Sequence, residues 1–268
     1  MYAPYKFTGK ESDPETDLTY FGARYYDAAL GIFHGVDRYS EKYFNMTPYQ
    51  YAANNPVIFI DINGDSIDFS ILMKVDEKLG NGIMNNLTSD LQDLTGLSLC
   101  LEDNGQLNFA KDGSGKPIIS GGSEEARNML MSAISSTQQV KVGYHRSKSY
   151  TAGDGIVLSD KQIEGFINGT SNDLDKRTLG FGMTFLHELD HSNVGSGHID
   201  SKILGTTGKV EDRMNIIRSQ MGFKWGQRLS YPAYQMSPGD NNAYLPFNKV
   251  SLNSLNKGLI PLNAVIKI

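Results

Sequence analysis

The chain has 268 residues and a formal charge of −5, with 25 Lys plus Arg against 30 Asp plus Glu, and 39% of its residues are hydrophobic. That composition fills a substantial core, contains no apolar run long enough for a membrane span, and carries no sequence-wide basic footprint for a nucleic-acid backbone or anionic membrane. The single Cys100 excludes an intrachain disulfide framework and any multi-cysteine zinc site. The opening Met1-Tyr2-Ala3-Pro4-Tyr5-Lys6 lacks the apolar region of a classical signal peptide; export by a dedicated machine stays open, since such routes need not leave that signature.

Residues 1–65 hold nine of the 14 Tyr and five Lys plus Arg against nine Asp plus Glu, so most of the net charge lies in this quarter. Aromatics alternate with turn residues here, as in Tyr20-Phe21-Gly22 and Leu30-Gly31-Ile32-Phe33. Short strands joined by tight turns are expected, because Tyr and Phe pack well on pleated surfaces while Gly and Asn accept turn dihedrals. From Ser66 the pattern changes. Ile67 to Met73 alternates as a strand, followed by a glycine-bearing turn, and Leu97 to Leu101 and Leu107 to Phe109 flank Asn104-Gly105 as a hairpin.

Ser123 is placed to cap a helix through Ile134, and Gln139 to His145 alternates as a strand. Residues 146–160 read as a surface loop, Ser159 to Phe166 as a short helix, 179–191 as a longer one, and Lys209 to Met221 as another ending at Gly222. Leu252 to Ile268 reads as a loop with short packed strands. Strands and helices without a regular strand-helix repeat imply an α+β fold, with units at 1–65 and 66–268.

The helix over 179–191 ends in His187-Glu188-Leu189-Asp190-His191, an HExxH string. At 3.6 residues per turn the two histidines leave one face in successive turns, close enough to share one zinc ion. Glu188, rotated by about 100°, stands beside that ion as a general base for water. Gly195 and Gly197 are expected to end the helix. For the third ligand Glu211, on the helix over 209–221, is preferred to His198, with Asp200 and Asp212 as further alternatives. Asn215 shares a stripe with Glu211 and Arg218 and is a candidate to hold a liganding histidine; Arg218 is a candidate to bind a substrate carboxylate or pair with an internal acid. Asp190 reads as a surface acid or one that supports a ligand, the isolated His145 as an ordinary strand or loop residue, and Cys100, set in an apolar alternation, as a packed thiol rather than a nucleophile.

Tyr5 to Thr16, Tyr20 to Asp27 and Tyr49 to Val57, read in that order, closely resemble the Rhs/YD-repeat-associated core segment. The resemblance covers residues 2 to about 65. It implies the end of a large Tyr-Asp repeat shell, followed by a variable C-terminal toxin that a secretion system delivers to competing cells. Self-cleaving shells of that family carry Asp-Pro motifs near this point, whereas this chain has Val36-Asp37-Arg38 and Phe59 to Gly64; Asp61 and Asp65 read as turn residues, and self-release is not expected.

The second unit resembles thermolysin-type (gluzincin) zinc proteases in its HExxH and in a Glu about twenty residues later, with a polar residue four positions beyond it. His198 is similar to the third histidine of the metzincin pattern but falls eleven residues after His187 instead of ten. Asn215 to Arg218, Gly222 and Arg228 to Tyr231 are similar to the tail of zincin toxins attached to Rhs cores, which implies Tyr231 as an oxyanion donor. Together the likenesses imply a zinc-dependent endopeptidase with a protein or peptide substrate and a cognate immunity protein. The remainder of an Rhs shell is a further implied partner, and no nucleic acid or membrane span is expected. The alternative is a non-enzymatic binding or pore-forming module whose metal site is structural or degenerate.

Overall fold

The change in composition after residue 65 coincides with a division of the chain into two units, Met1–Asp65 and Ser66–Ile268. The computed structural model describes residues 11–20, 24–36, 47, 49, 67–136, 138–236, 242–261 and 264–267. Tyr5 to Lys10, most of the Tyr49 to Val57 motif, Asp37, Asp61 and Asp65 lie outside the described residues. Among the described residues no helix is long and apolar enough to cross a membrane.

The first unit contains β1 (Glu11–Ser12), β2 (Thr19–Tyr20), β3 (Tyr25–Asp27) and β4 (Ile32–Phe33), antiparallel neighbours in that order. Alternation sorts the aromatics between faces: Thr19, Tyr26 and Phe33 are buried, and the cross-strand partners Tyr20 and Tyr25 are exposed. The Tyr26 and Phe33 rings meet edge-on at 5.4 Å, and the Arg24 guanidinium lies 3.9 Å over Phe33. Carboxylates close the turns, with Asp13 accepting from the Glu15 amide and Asp27 from the Ala29 amide.

The second unit mixes helices and sheets, an α+β arrangement. In chain order it contains β5 (Ile67–Asp68), α1 (Ser70–Leu79), α2 (Ile83–Thr95), β6 (Leu99–Leu101), β7 (Leu107–Phe109), α3 (Glu124–Ile134), β8 (Val140–Tyr144), β9 (Tyr150–Ala152) and β10 (Gly155–Leu158). There follow α4 (Asp160–Gly169), α5 (Phe181–His191), α6 (Lys209–Met221), β11 (Tyr234–Gln235), β12 (Ala243–Pro246), α7 (Lys249–Asn256) and β13 (Ala264–Lys267). The main sheet has the order β5-β8-β10-β9; its first three strands are parallel, and β9 is the antiparallel edge. Ile67, Val140, Val142, Ile156 and Leu158 are buried in the core shared with α2, α3 and α5.

Three segments and one side chain differ from the sequence expectation: Cys100, expected to pack, points out of β6 and is exposed. The strand expected over Ile67 to Met73 stops at Asp68, whose carboxylate accepts from the Ser70 amide at 2.8 Å; Phe69 and Leu72, three apart, then pack inward as on a helix. The glycine-bearing turn leads into α2, whose buried Ile83, Leu87, Leu91 and Leu94 follow helical spacing. Residues 146–160 are not a loop. They hold β9, whose edge position accepts polar residues, and β10, too short for its two buried alternating residues to stand out. In the tail, α7 forms under an Asn248/Ser251 capping box, ahead of the expected strand.

Helix α5 lies against α2, β9 and β10. Its N-cap, Gly180, offers no side chain, and the cap comes from across the core: Asp90 Oδ2 on α2 accepts from the Gly182 amide at 3.1 Å. Gly182 permits this approach, since a Cβ there would fall 2.8 Å from both Asp90 Cβ and Leu94 Cδ1. Gly182→Ala is therefore expected to destabilise the protein by about 1–3 kcal/mol through overpacking, read as a lower melting temperature. An unchanged melting temperature would show that α2 and α5 separate freely.

Candidate metal centre

The loop after α5 turns back on the helix that precedes it. The helix ends at His191, before the two glycines expected to stop it, and Ser192 bonds back to the Leu189 carbonyl. Gly195 then crosses so close that an added Cβ would sit 1.9 Å from the Leu189 oxygen. The Asp190 carbonyl accepts from the Ser196 and His198 amides, each at 3.2 Å. The Asp190 side chain is fully buried, 2.9 Å from His198 Nδ1 and paired with Arg213, which also reaches Glu125 on α3. Asp190 is thus the internal post of this loop rather than a surface acid.

This return places Asp200 over the two histidines. Asp200 Oδ2 lies 2.9 Å from His187 Nε2 and 2.9 Å from His191 Nε2, and the two Nε2 atoms are 3.2 Å apart. Two ligands at tetrahedral angles around an ion about 2.05 Å away would stand about 3.3 Å apart, a spacing that the histidine pair approaches and the Asp200 sides fall short of. The other carboxylate oxygen, Asp200 Oδ1, is buried without a hydrogen-bond partner among the described residues. His191 Nδ1 is 2.8 Å from the His198 carbonyl, which can only accept; the proton sits on Nδ1, and Nε2 faces the triangle. Donor chemistry and the orphaned oxygen fit a divalent zinc-like ion.

Glu211 does not join the triangle. It is fully buried on the other edge of His187, its Oε2 3.7 Å from Nδ1, and both its oxygens are engaged by guanidiniums: Oε1 by Arg218 at 2.5 Å and Oε2 by Arg228 at 2.9 Å. Burial acts to raise the Glu211 pKa, and the charges of Arg228 and Arg218 outweigh it and hold the carboxyl below its ordinary value. Nor is His198 one of the converging groups: among the described residues the ligand atoms that lie within 4.8 Å of one another come from His187, His191 and Asp200, and the His198 ring bonds Asp190 through Nδ1. Asp212 accepts from Thr207 at the surface.

The remaining expected residues fall into two groups. Glu188 is buried beside the triangle, and the Thr151 hydroxyl on β9 lies 2.8 Å from its Oε2 and 2.7 Å from its own carbonyl. Tyr231 stacks on His187 with rings 5.6 Å apart and 7° from parallel, while the Arg228 guanidinium covers the Tyr231 ring at 4.7 Å. Burial, then the Asp200 charge, pushes the Tyr231 phenol well above its ordinary range, so it remains a neutral donor. Asn215 holds no histidine. Its side chain clasps the Arg228 backbone, donating to the carbonyl at 2.7 Å and accepting from the amide at 2.9 Å. Arg218 pairs with an internal acid, Glu211. The sequence reading missed Thr151, Arg228 as a partner of Glu211, and Asp90; only long-range packing brings them in.

Two cavities meet at Glu188 and Tyr231. One, of about 410 Å³, runs along Tyr150 and Thr151 of the β9 edge to His191 and His198. The other, of about 250 Å³, passes His187 toward Arg218 and Arg228.

No family model and no solved structure matches the chain. Over 76 residues it is 38% identical to salivary gland surface protein 1 of Aedes aegypti, a stretch that is 28% of this chain and 2% of that protein. The chain therefore spans only a small fraction of the length of that curated relative.

Two outcomes follow from the charges. In metal-free protein, His191 is pushed up to about 9, chiefly by its bond to Asp200, from an ordinary 6.5. Asp200 falls from 3.8 to about 2, burial opposing and the bonds from His187 and His191 prevailing. The raised histidine contributes stability present below pH 6.5 and lost as pH rises through about 9; the lowered carboxylate contributes stability present above pH 3.8 and lost as pH falls through about 2. Melting temperature without metal is thus expected to be highest between these limits, and Asp200→Asn should flatten the alkaline fall. Separately, Glu211→Gln leaves two buried guanidiniums unpaired and is expected to cost about 3–5 kcal/mol in denaturant unfolding. Asp212→Asn, one residue along at the surface, should change stability by about 0.5 kcal/mol or less.

Proposed function

We propose that the second unit is a zinc-dependent endopeptidase in which His187, His191 and Asp200 hold the metal, Asp200 taking the place expected for Glu211. The observation that carries this reading is the triangle of two imidazole nitrogens and one carboxylate oxygen with Glu188 beside it. Zinc bound there supplies Lewis acidity that polarises a substrate carbonyl and acidifies water.

The chain's own residues do the rest. Glu188 is shielded from bulk water, and Thr151 steadies its Oε2; its carboxylate accepts a proton from the attacking water and returns it to the leaving amine. Tyr231, fixed by its stack on His187 and by Arg228 beneath it, donates its hydroxyl to the oxygen that gains charge as the carbonyl carbon becomes tetrahedral. Glu211 sits at the Nδ1 edge of His187 and orients that ring without touching substrate. Strand β9 is the edge of its sheet beside the larger cavity, where an extended peptide can lie as an added strand.

The biological setting proposed is the C-terminal toxin of an Rhs-type effector, exported by a dedicated secretion system, acting on a target-cell protein and matched by an immunity protein in the producer. The ordered Tyr-rich motifs of residues 5–57 and the unit boundary at Asp65 support this reading. About one zinc per chain is expected by elemental analysis, lost in His187→Ala, His191→Ala and Asp200→Ala. Glu188→Gln should keep the metal and lower peptide hydrolysis by about 10²–10⁴-fold. Tyr231→Phe should lower kcat by about 10²-fold with KM little changed. Zinc retained in all three ligand variants would overturn the assignment.

A further inference from the structure

We infer that the smaller cavity is a carboxylate-selective subsite, taking an acidic side chain or a chain-terminal carboxylate next to the bond that is cut. This rests on the peptidase reading for its place in a reaction, and on the cavity's own residues for its chemistry. Phe166, Leu179, Met183, Met214 and Leu245 give it a largely apolar wall, interrupted by Ser149, Gln162 and Thr184, and Arg218 and Arg228 line it as well. Arg218 is 1% exposed and Arg228 7% exposed. Two buried guanidiniums answer to a single carboxylate, Glu211, which spends one oxygen on each. Among the described residues neither guanidinium has a second carboxylate in ion-pair contact.

The hydrogen bonds tell the same story. Arg228 donates from Nε to the Ser230 carbonyl, from Nη1 to Glu211 and from Nη2 to the Tyr231 carbonyl, so each terminal nitrogen keeps a second N–H with no acceptor among the described residues. Arg218 uses Nε on Thr178 and Nη1 on Glu211 and Asn215, while Nη2 donates once, to the Thr178 carbonyl, and keeps its other N–H uncommitted. Buried guanidinium N–H groups without acceptors are costly, and a carboxylate is the acceptor whose geometry and charge suit them best. The largely apolar wall strengthens such a pairing by excluding water. The subsite also rejects competitors: leucine would leave the donors unmet, and lysine would add a further cation. The other ionisable groups on the lining are His187, Glu188 and Tyr231, and the Glu188 carboxylate is bonded to Thr151 on the side of the larger cavity.

The test measures binding to the full-length protein before any hydrolysis. N-acetylglutamate amide, its glutamine isostere, N-acetylleucine amide and N-acetylleucine with a free α-carboxylate are titrated by calorimetry. At least one carboxylate probe is expected to bind about tenfold or more tightly than its neutral counterpart, and which one does so separates a side chain from a chain terminus. Arg228→Gln should abolish the difference, and Arg228→Lys, which keeps the charge without the fork, should retain part of it. Equal binding of the glutamate and glutamine probes together with equal binding of the two leucine probes overturns the inference, as does a preference for leucine amide over every carboxylate. Peptides varied at the residues flanking the cut then separate this idea from the one beneath it. Hydrolysis without acidic preference removes the subsite and leaves the peptidase. Carboxylate binding in a protein that neither takes up zinc nor cuts any peptide removes the peptidase and leaves the subsite.

Discussion

One carboxylate oxygen, Asp200 Oδ2, stands 2.9 Å from each of two imidazole nitrogens presented by successive turns of α5. Three electron-pair donors converging within a hydrogen-bond length are tolerable only if a proton or a cation lies among them, and that requirement sets the character of the site. The loop from Ser192 to Asp200 exists to bring that carboxylate back. It does so by a glycine pressed on the Leu189 carbonyl and by the buried Asp190, which holds the loop through its backbone oxygen, His198 and Arg213 at once.

His187 is held from both edges. Asp200 meets its Nε2, Glu211 stands beyond its Nδ1, and the Tyr231 ring lies flat against it. Such a ring has little freedom to rotate, and a preorganised donor set gains affinity because its ordering is complete before the ligand arrives. The cost lies in Glu211, a fully buried charge, and it is offset by Arg218 and Arg228 with Asn215 fastening the Arg228 backbone. The same arrangement joins the proposed metal to the adjoining cavity, since the guanidiniums that stabilise Glu211 also form part of that cavity's lining.

The choice of Glu211 over Asp200 shows where reading the chain runs out. Glu211 has the residue type, the helix and the separation from His191 that a liganding carboxylate would have, and α6 does bring it to His187. Spacing along a chain carries no information on which edge of an imidazole a packed helix approaches, and here it approaches Nδ1. Asp200 lies in a segment without helical or strand periodicity, so no pattern singles it out. Asn215 failed as a histidine partner for a related reason: the stripe it shares with Arg218 is real, but that face meets the Arg228 segment.

What local sequence determined was whatever depends on neighbours a few residues apart: the helices α3 to α6, the β6–β7 hairpin with its Asn-Gly turn, the change of character at residue 65, and two histidines sharing a face of α5. Helical spacing and turn chemistry are short-range and leave their mark directly in residue order. Tertiary structure alone decided which acid meets those histidines, that Thr151 from a polar edge strand touches Glu188, that Asp90 caps α5 from another helix, and that two guanidiniums share one buried carboxylate. Each is a contact between segments far apart in the chain, selected by how the core packs, and packing is a property of the whole set of buried side chains at once.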